Sequence, residues 1–370
     1  MYNFKLQTDI MSVSAFSEFA ETERLAQDDL IITNEFIYNP FIKPIDPECK
    51  VLFQEKYGSG EPNDEMIDAI RKDIPGGIKR IIAIGGGTVI DIAKVLIFEG
   101  SWKTEEIFMG KLIPEKVRSL IVIPTTCGTG SEVTNITISE LKSQKTKKGL
   151  ALNSMYPDKA VLIPEMVKTL PYKFFATSSI DALIHAVESF LSPKAIAHSE
   201  AYAQKAIELI INGYLYLKEY GTERWTDQAE DFLTASNLAG IAFGYAGCAA
   251  VHALSYPLGG MYHIPHGEAN QLMFAAVMSK YKEKQPVGKI NQLEELFAGV
   301  LKVDPSEALS TLYELMEFVL HRKNLHEYGI SEAELSVFSE GVLAGQQRLL
   351  NNNYVPLGKG DMMAIYQACY

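Results

Sequence analysis

Along the first 170 residues, short apolar runs alternate with stretches of helical periodicity. Leu30-Ile31-Ile32-Thr33, Val51-Leu52-Phe53, Ile81-Ile82-Ala83-Ile84 and Leu120-Ile121-Val122-Ile123 are short and mostly β-branched, which predicts strands of a parallel α/β sheet. Between the second and third runs, Met66, Ile67, Ile70 and Ile74 recur at helical spacing behind Asn63-Asp64, a candidate cap, and Gly76-Gly77 ends the pattern. Beyond Pro171 the strand signals fade. Amphipathic segments from Thr177 to Phe190, Glu200 to Leu217 and Asp227 to Ala242 predict a helical domain there. The boundary falls near Thr169, giving an α/β domain over 1–169 and an all-helical domain over 170–370.

Length supports that division, because a chain of 370 residues exceeds the roughly 250–300 at which a single core stops growing. A formal net charge of -12 argues against nucleic acid or an anionic membrane as partner, since both require clustered Lys and Arg. A small molecule is the expected partner. The start has no secretory pattern, and no apolar run approaches the roughly 20 residues needed to span a bilayer, so a cytoplasmic protein is expected. Cys49, Cys127, Cys248 and Cys369 are scattered without a CxxC pair, so any metal must use other ligands.

Chemistry enters at the ends of two runs. After Ile84 the chain reads Gly85-Gly86-Gly87-Thr88, then a helix beginning near Ile90 with Asp91 and Lys94 in its first turns. Such a turn lets backbone approach a pyrophosphate, which the helix N-terminus favours electrostatically; the plain alternative is a tight turn without a ligand. After Ile123 comes Pro124-Thr125-Thr126-Cys127-Gly128-Thr129-Gly130-Ser131-Glu132-Val133-Thr134, dense in hydroxyls and glycines. Two such loops at the carboxyl ends of strands favour a dinucleotide over a mononucleotide.

In the second half, Asp181 and His185 share a helix face at i,i+4 spacing. His252 and His266 follow in an apolar, glycine-rich stretch. One carboxylate with three imidazoles offers a divalent ion four ligands and leaves room for a substrate oxygen; zinc and ferrous iron both fit. A surface pair and ordinary core histidines are the plain alternative.

Taken together, these motifs resemble the iron-containing (group III) alcohol dehydrogenase family nearly end to end, in the glycine turn with Asp91 and Lys94, the Pro124–Thr134 loop, the Asp181–Glu188 helix, and the last segment through Asn352, Pro356, Asp361 and Ile365. The resemblance implies a Rossmann-like dinucleotide-binding domain, an all-helical metal domain, and catalysis in a cleft between them. It assigns one Fe2+ or Zn2+ to Asp181, His185, His252 and His266. It carries cofactor contacts to Asn63, Gly86, Gly87, Thr88, Asp91, Thr125, Thr126, Thr129 and Lys147, with Lys148 as the alternative alignment. The reaction it implies is hydride transfer from an alcohol, activated by a Lewis-acid metal, to a nicotinamide ring.

Two departures from the family pattern matter. Asn34 stands where an acidic residue favours an unphosphorylated ribose, which predicts a modest preference for NAD over NADP. Tyr256 stands where many members have a second histidine, four residues after His252, so Tyr256 is expected to face the active site as proton relay, with His263 as the substitute. Tyr256, Gly259-Gly260 and Pro265–Asn270 look most like the 4-hydroxybutyrate dehydrogenase branch. No Lys or Arg lies between Trp225 and Ser279, so a substrate carboxylate needs a cation from elsewhere, for which Lys359 is the candidate. Butanol or 1,3-propanediol-type dehydrogenases are the alternative within the family, and a dehydroquinate-synthase-like lyase the remoter one. The expected assembly is a homo-oligomer, a dimer in the first instance.

Overall fold

Strands buried on both faces need mostly apolar residues, and three of the four runs form such strands, while Val51-Leu52-Phe53 lies half-buried on the sheet's edge. In the computed structural model, which describes residues 3–144 and 146–370, the strands are β1 (Asp9–Ser12), β2 (Asp29–Thr33), β3 (Lys50–Phe53), β4 (Arg80–Gly85), β5 (Ser119–Pro124), β6 (Ile136–Leu141), β7 (Thr146–Ala151) and β8 (Lys159–Leu162). Six of them form one parallel sheet in the order β1-β8-β5-β4-β2-β3. Ile81, Ala83, Leu120 and Val122 pack with Met66, Ile67 and Ile70 of the helix Asp64–Asp73 and with Ile90 and Ala93 of the helix Gly87–Leu96. Their neighbours Ile82, Ile84, Ile121 and Ile123 join Phe16, Phe19 and Met166 in a second core.

Asn63 caps the Asp64–Asp73 helix through its side chain, which accepts from Met66 N at 2.9 Å. The Gly87–Leu96 helix begins three residues earlier than its apolar periodicity suggests, because Gly87 and Thr88 form its first turn. Further strands complete the unit with shorter or more polar signatures. β1 is a largely exposed edge strand, β8 has only four residues, and β6 and β7 pair as an antiparallel hairpin whose second strand is Thr-Lys-Lys-Gly-Leu-Ala.

The chain divides into compact units at Leu170/Pro171. The second is helical, with Tyr172–Leu191, Ala197–Tyr220, Ala229–Ala246, Ala250–Tyr262 and His266–Lys284 at its centre. The first of these is buried almost all round from Phe175 to Leu191, as a helix enclosed by others must be. Small residues permit the close crossings. A Cβ on Gly213 would meet the Phe232 ring at 2.4 Å, and one on Gly267 would meet Thr177 O at 1.9 Å. Among the described residues, no single helix is long and apolar enough to cross a membrane.

Candidate active site

The glycine turn and the threonine loop meet. Gly85 pairs with Pro124 at the carboxyl ends of β4 and β5, and Thr125 N donates to Gly85 O at 3.1 Å. A Cβ on Gly86 would lie 3.3 Å from the Thr126 methyl, and one on Gly87 would lie 3.0 Å from that of Thr129. These glycines therefore keep the two loops in contact while leaving the first amides of the Gly87 helix without intrahelical acceptors, the arrangement that suits a pyrophosphate. Thr88 donates to Gly60 O at 3.3 Å, tying in the loop that leads to Asn63.

Asp91 and Lys94 brace this edge from inside. The Asp91 carboxylate accepts from Ser131 Oγ at 2.7 Å and from Ile138 N at 2.9 Å. Lys94 is fully buried and donates to Ser131 Oγ, Thr134 Oγ1 and Ile136 O at 2.6, 3.1 and 2.7 Å. Burial pulls its ammonium down to about 8 against the opposing charges of Asp91 and Glu132. The visible role of Asp91 is thus to fasten the threonine loop and β6 to the helix. Lys147, exposed on β7, pairs with Glu61 at 2.5 Å beside the Asn63 loop, whereas Lys148 reaches Met109 Sδ at 3.4 Å.

In the helical unit, the helix Tyr172–Leu191 presents Asp181, His185 and Glu188 at i, i+4 and i+7. Asp181 Oδ1 lies 3.5 Å from His252 Nε2 and 3.6 Å from His266 Nε2, and Oδ2 lies 3.9 Å from His185 Nδ1. His185 stacks on His252 with ring centroids 4.5 Å apart. Donors about 2.1 Å from a tetrahedral ion are about 3.4 Å from one another, so this spacing suits a divalent cation better than direct hydrogen bonds. The donor atoms of Asp181, His252 and His266 all lie within 4.8 Å of one another, as do those of His185, Cys248 and His252. His252 belongs to both groups.

Its two nitrogens differ. Glu188, itself buried, accepts from His252 Nδ1 at 2.6 Å and from the amides of Val251 and Ala249 at 2.6 and 2.8 Å. Nε2 is buried without a hydrogen-bond partner and faces Asp181, so a ring nitrogen, whose lone pair is freed when a cation displaces its proton, and a carboxylate converge where a cation belongs. Burial lowers the basicity of His252, but Glu188 and Asp181 outweigh it and raise the imidazole to about 9 in the metal-free protein. Asn270 donates to Asp181 Oδ1 at 2.7 Å, orienting the carboxylate. Burial raises the Cys248 thiol far above its ordinary value, reinforced by Glu188 and Asp181, which keeps it protonated and leaves the nitrogen–oxygen set as the better ligands.

Tyr256 follows His252 by one turn and lies near His266, with ring centroids 6.2 Å apart. His263 is placed differently: it is exposed and caps the Ala250–Tyr262 helix with φ 54°. Lys359 is exposed and its ammonium is held by Glu340 at 2.5 Å. Glu188, Asn270 and Cys248 were not picked out from sequence as site residues, although Glu188 continues the Asp181 face and Cys248 precedes His252 by four.

Residues 12–164 match the family described as iron-containing alcohol dehydrogenase, and residues 175–370 match the Fe-containing alcohol dehydrogenase family, C-terminal. The chain belongs to the iron-containing alcohol dehydrogenase family. It is 50% identical over 367 residues, 99% of each chain, to the 4-hydroxybutyrate dehydrogenase of Clostridium kluyveri. It is 34% identical to long-chain-alcohol dehydrogenase 1 of Geobacillus thermodenitrificans, over 95% of this chain and 91% of that one. The fold is shared with the sulfoacetaldehyde reductase of Bifidobacterium kashiwanohense, solved in complex with NAD+, at TM-score 0.87 and 22% identity over 100% and 98% of the two chains. This alcohol dehydrogenase is an oxidoreductase rather than a lyase.

Proposed function

We propose that the enzyme interconverts 4-hydroxybutyrate and succinate semialdehyde with NAD, using a divalent ion held by Asp181, His185, His252 and His266. The observation that carries the substrate is the 50% identity to a 4-hydroxybutyrate dehydrogenase across both whole chains. Oxidation converts the terminal CH2OH to an aldehyde, giving one hydride to NAD+ and one proton to solvent. When bound, a ferrous or zinc ion would supply Lewis acidity toward the alcohol oxygen and the dinucleotide would supply the hydride acceptor. Asp181 offsets the charge of the ion, while Glu188 holds the Nδ1 proton of His252 and turns the Nε2 lone pair inward. Gly86, Gly87 and Thr88, with Thr125, Thr126, Thr129, Asn63 and Lys147 around them, bind the dinucleotide.

Tyr256 handles the proton. Burial pushes its phenol up to about 12 against the pull of the Arg348 guanidinium, so it stays protonated and able to donate to the substrate oxygen. That same Arg348 replaces Lys359 as the partner of the substrate carboxylate. It sits in the short helix Gln347–Leu350, which Asn352 fastens to the metal-site segment by donating to Cys248 O at 2.8 Å and Arg348 O at 3.3 Å. Its charge acts on both Cys248 and Tyr256, and among the described residues its guanidinium has no ion-pair partner.

A plate of short alcohols and ω-hydroxy acids, followed by absorbance of reduced nicotinamide, tests the reading. The highest kcat/KM is expected for 4-hydroxybutyrate; equal values for 1-butanol or 1,3-propanediol would favour the simple-alcohol alternative. Arg348→Gln should lower kcat/KM for 4-hydroxybutyrate at least about tenfold and leave 1-butanol nearly unchanged, as loss of a charge-assisted contact requires.

A further inference from the structure

A nicotinamide dinucleotide is told from its 2′-phosphorylated form by the charge beside the adenosine ribose. The chain lacks an acid directly after β2, where Asn34 stands, but the fold supplies one from the neighbouring strand. β2 and β3 are parallel, with Thr33 in register with Phe53, so Asn34 and the Gln54–Tyr57 turn leave the same edge of the sheet. There, Glu55 Oε2 accepts from Asn34 Nδ2 at 2.8 Å, and Glu55 Oε1 accepts from Glu35 N at 2.5 Å. Gln54 Oε1 accepts from the same Asn34 amide at 3.2 Å. The Asn34 side chain thus acts as the clamp of a carboxylate that a flexible exposed glutamate would otherwise leave mobile.

We infer that Glu55, held by Asn34, is the residue that selects NAD over NADP. The inference rests on the dinucleotide reading of the Gly85–Thr88 turn. β4, β2 and β3 are consecutive in the sheet, so Glu55 stands two strand spacings, about 10 Å, from the glycine turn on the edge where such ligands lie. A carboxylate has about four acceptor positions, and two contacts leave capacity for ribose hydroxyls. Toward a 2′-phosphate it presents like charge. Lys56, the nearby cation, does not cancel this, because its ammonium lies 3.9 Å from Glu35 and 4.7 Å from the Phe53 ring centroid. The preference for NAD is therefore strong rather than the modest one an isolated asparagine would give.

Direct binding tests this without turnover. Titrate the protein with NADH and NADPH by nucleotide fluorescence, then displace each with ADP-ribose and 2′-phospho-ADP-ribose, for the wild type, Glu55→Gln and Asn34→Ala. The wild type should bind the unphosphorylated ligands at least about a hundredfold more tightly; Glu55→Gln should narrow that ratio at least about tenfold, by weakening the first and strengthening the second. Asn34→Ala should move it the same way by less, since it frees the carboxylate without removing it. Both sites are on the sheet edge, and an unchanged far-UV spectrum checks the fold. A ratio unaltered by Glu55→Gln overturns the inference. Failure of the wild type to bind either dinucleotide overturns instead the dinucleotide reading on which it rests.

Discussion

The α/β unit and the helical unit build their sites from different materials. At the sheet edge the groups proposed to face the dinucleotide are backbone amides and glycines, and the buried ionisable pair Asp91 and Lys94 points into the protein to hold loops together. In the helical unit the ionisable side chains are themselves the candidate metal site, and the backbone's part is to bring helices close enough for Asp181, His252 and His266 to meet. A site of the first kind depends on the shape of one local turn. The second depends on crossings between segments 63 to 89 residues apart, such as Glu188 with Val251 and Asp181 with Asn270. Small displacements of a helix should therefore damage the second site far more than the first.

Gly267→Ala breaks the comparison most severely. The added Cβ would sit 1.9 Å from Thr177 O, so the His266–Lys284 helix must lift away from the Asp181 helix, carrying His266 with it. The expected result is loss of most turnover, at least about a hundredfold, together with most of the bound metal. Dinucleotide binding by the other unit should change little. His266→Ala should reproduce the loss of metal and turnover with a far-UV spectrum close to that of the wild type. Full metal content and activity in His266→Ala would return this histidine to an ordinary position outside the ligand set.

Glu188→Gln is the milder probe of the same site. The amide can still accept from one backbone N–H and from His252, but it removes the charge that fixes the imidazole and caps the His252 helix. Metal affinity, measured by competition with a chelator, should fall about 10- to 100-fold, the range typical of residues that orient a metal-bound histidine. Added metal should restore most of the turnover. If metal affinity were unchanged, Glu188 would be only a helix cap.

What the sequence disclosed follows the same division. β2, β4 and β5 were legible because they are buried on both faces, and Asn63 because a cap is a local feature. β1, β8 and the β6–β7 hairpin carry short or polar sequences and are held by pairing with distant strands, which a single run cannot show. Asp181 and His185 announced themselves by helical spacing, and Glu188 three residues further was equally readable. Glu55 and Arg348 were not, since the first matters through a contact across 21 residues to Asn34, and the second through its charge on Cys248 and Tyr256 from a helix that Asn352 ties to Cys248 across 104 residues. His263 ends a helix in the left-handed conformation, a backbone role that its spacing from His266 does not announce.

Tyr256→Phe sharpens the comparison with the smallest change, removing one oxygen and leaving every crossing in place. Metal content, dinucleotide binding and thermal stability should match the wild type, because Tyr256 is half-buried and its ring remains. If the phenol passes the alcohol proton, kcat should fall about tenfold or more, less than the full value of a general acid–base group because water can enter in its place. The pH profile separates this from packing. In the metal-free protein burial raises the phenol to about 12, and a bound dication would draw it down from there, so any alkaline inflection of the wild-type profile that belongs to the phenol should vanish in the variant. With the phenylalanine in place, the proton must leave through solvent and the rate should become steeper in pH on the alkaline side, as hydroxide takes over the role. An unchanged kcat with an unchanged profile would make Tyr256 a packing residue and leave the proton's exit to water alone.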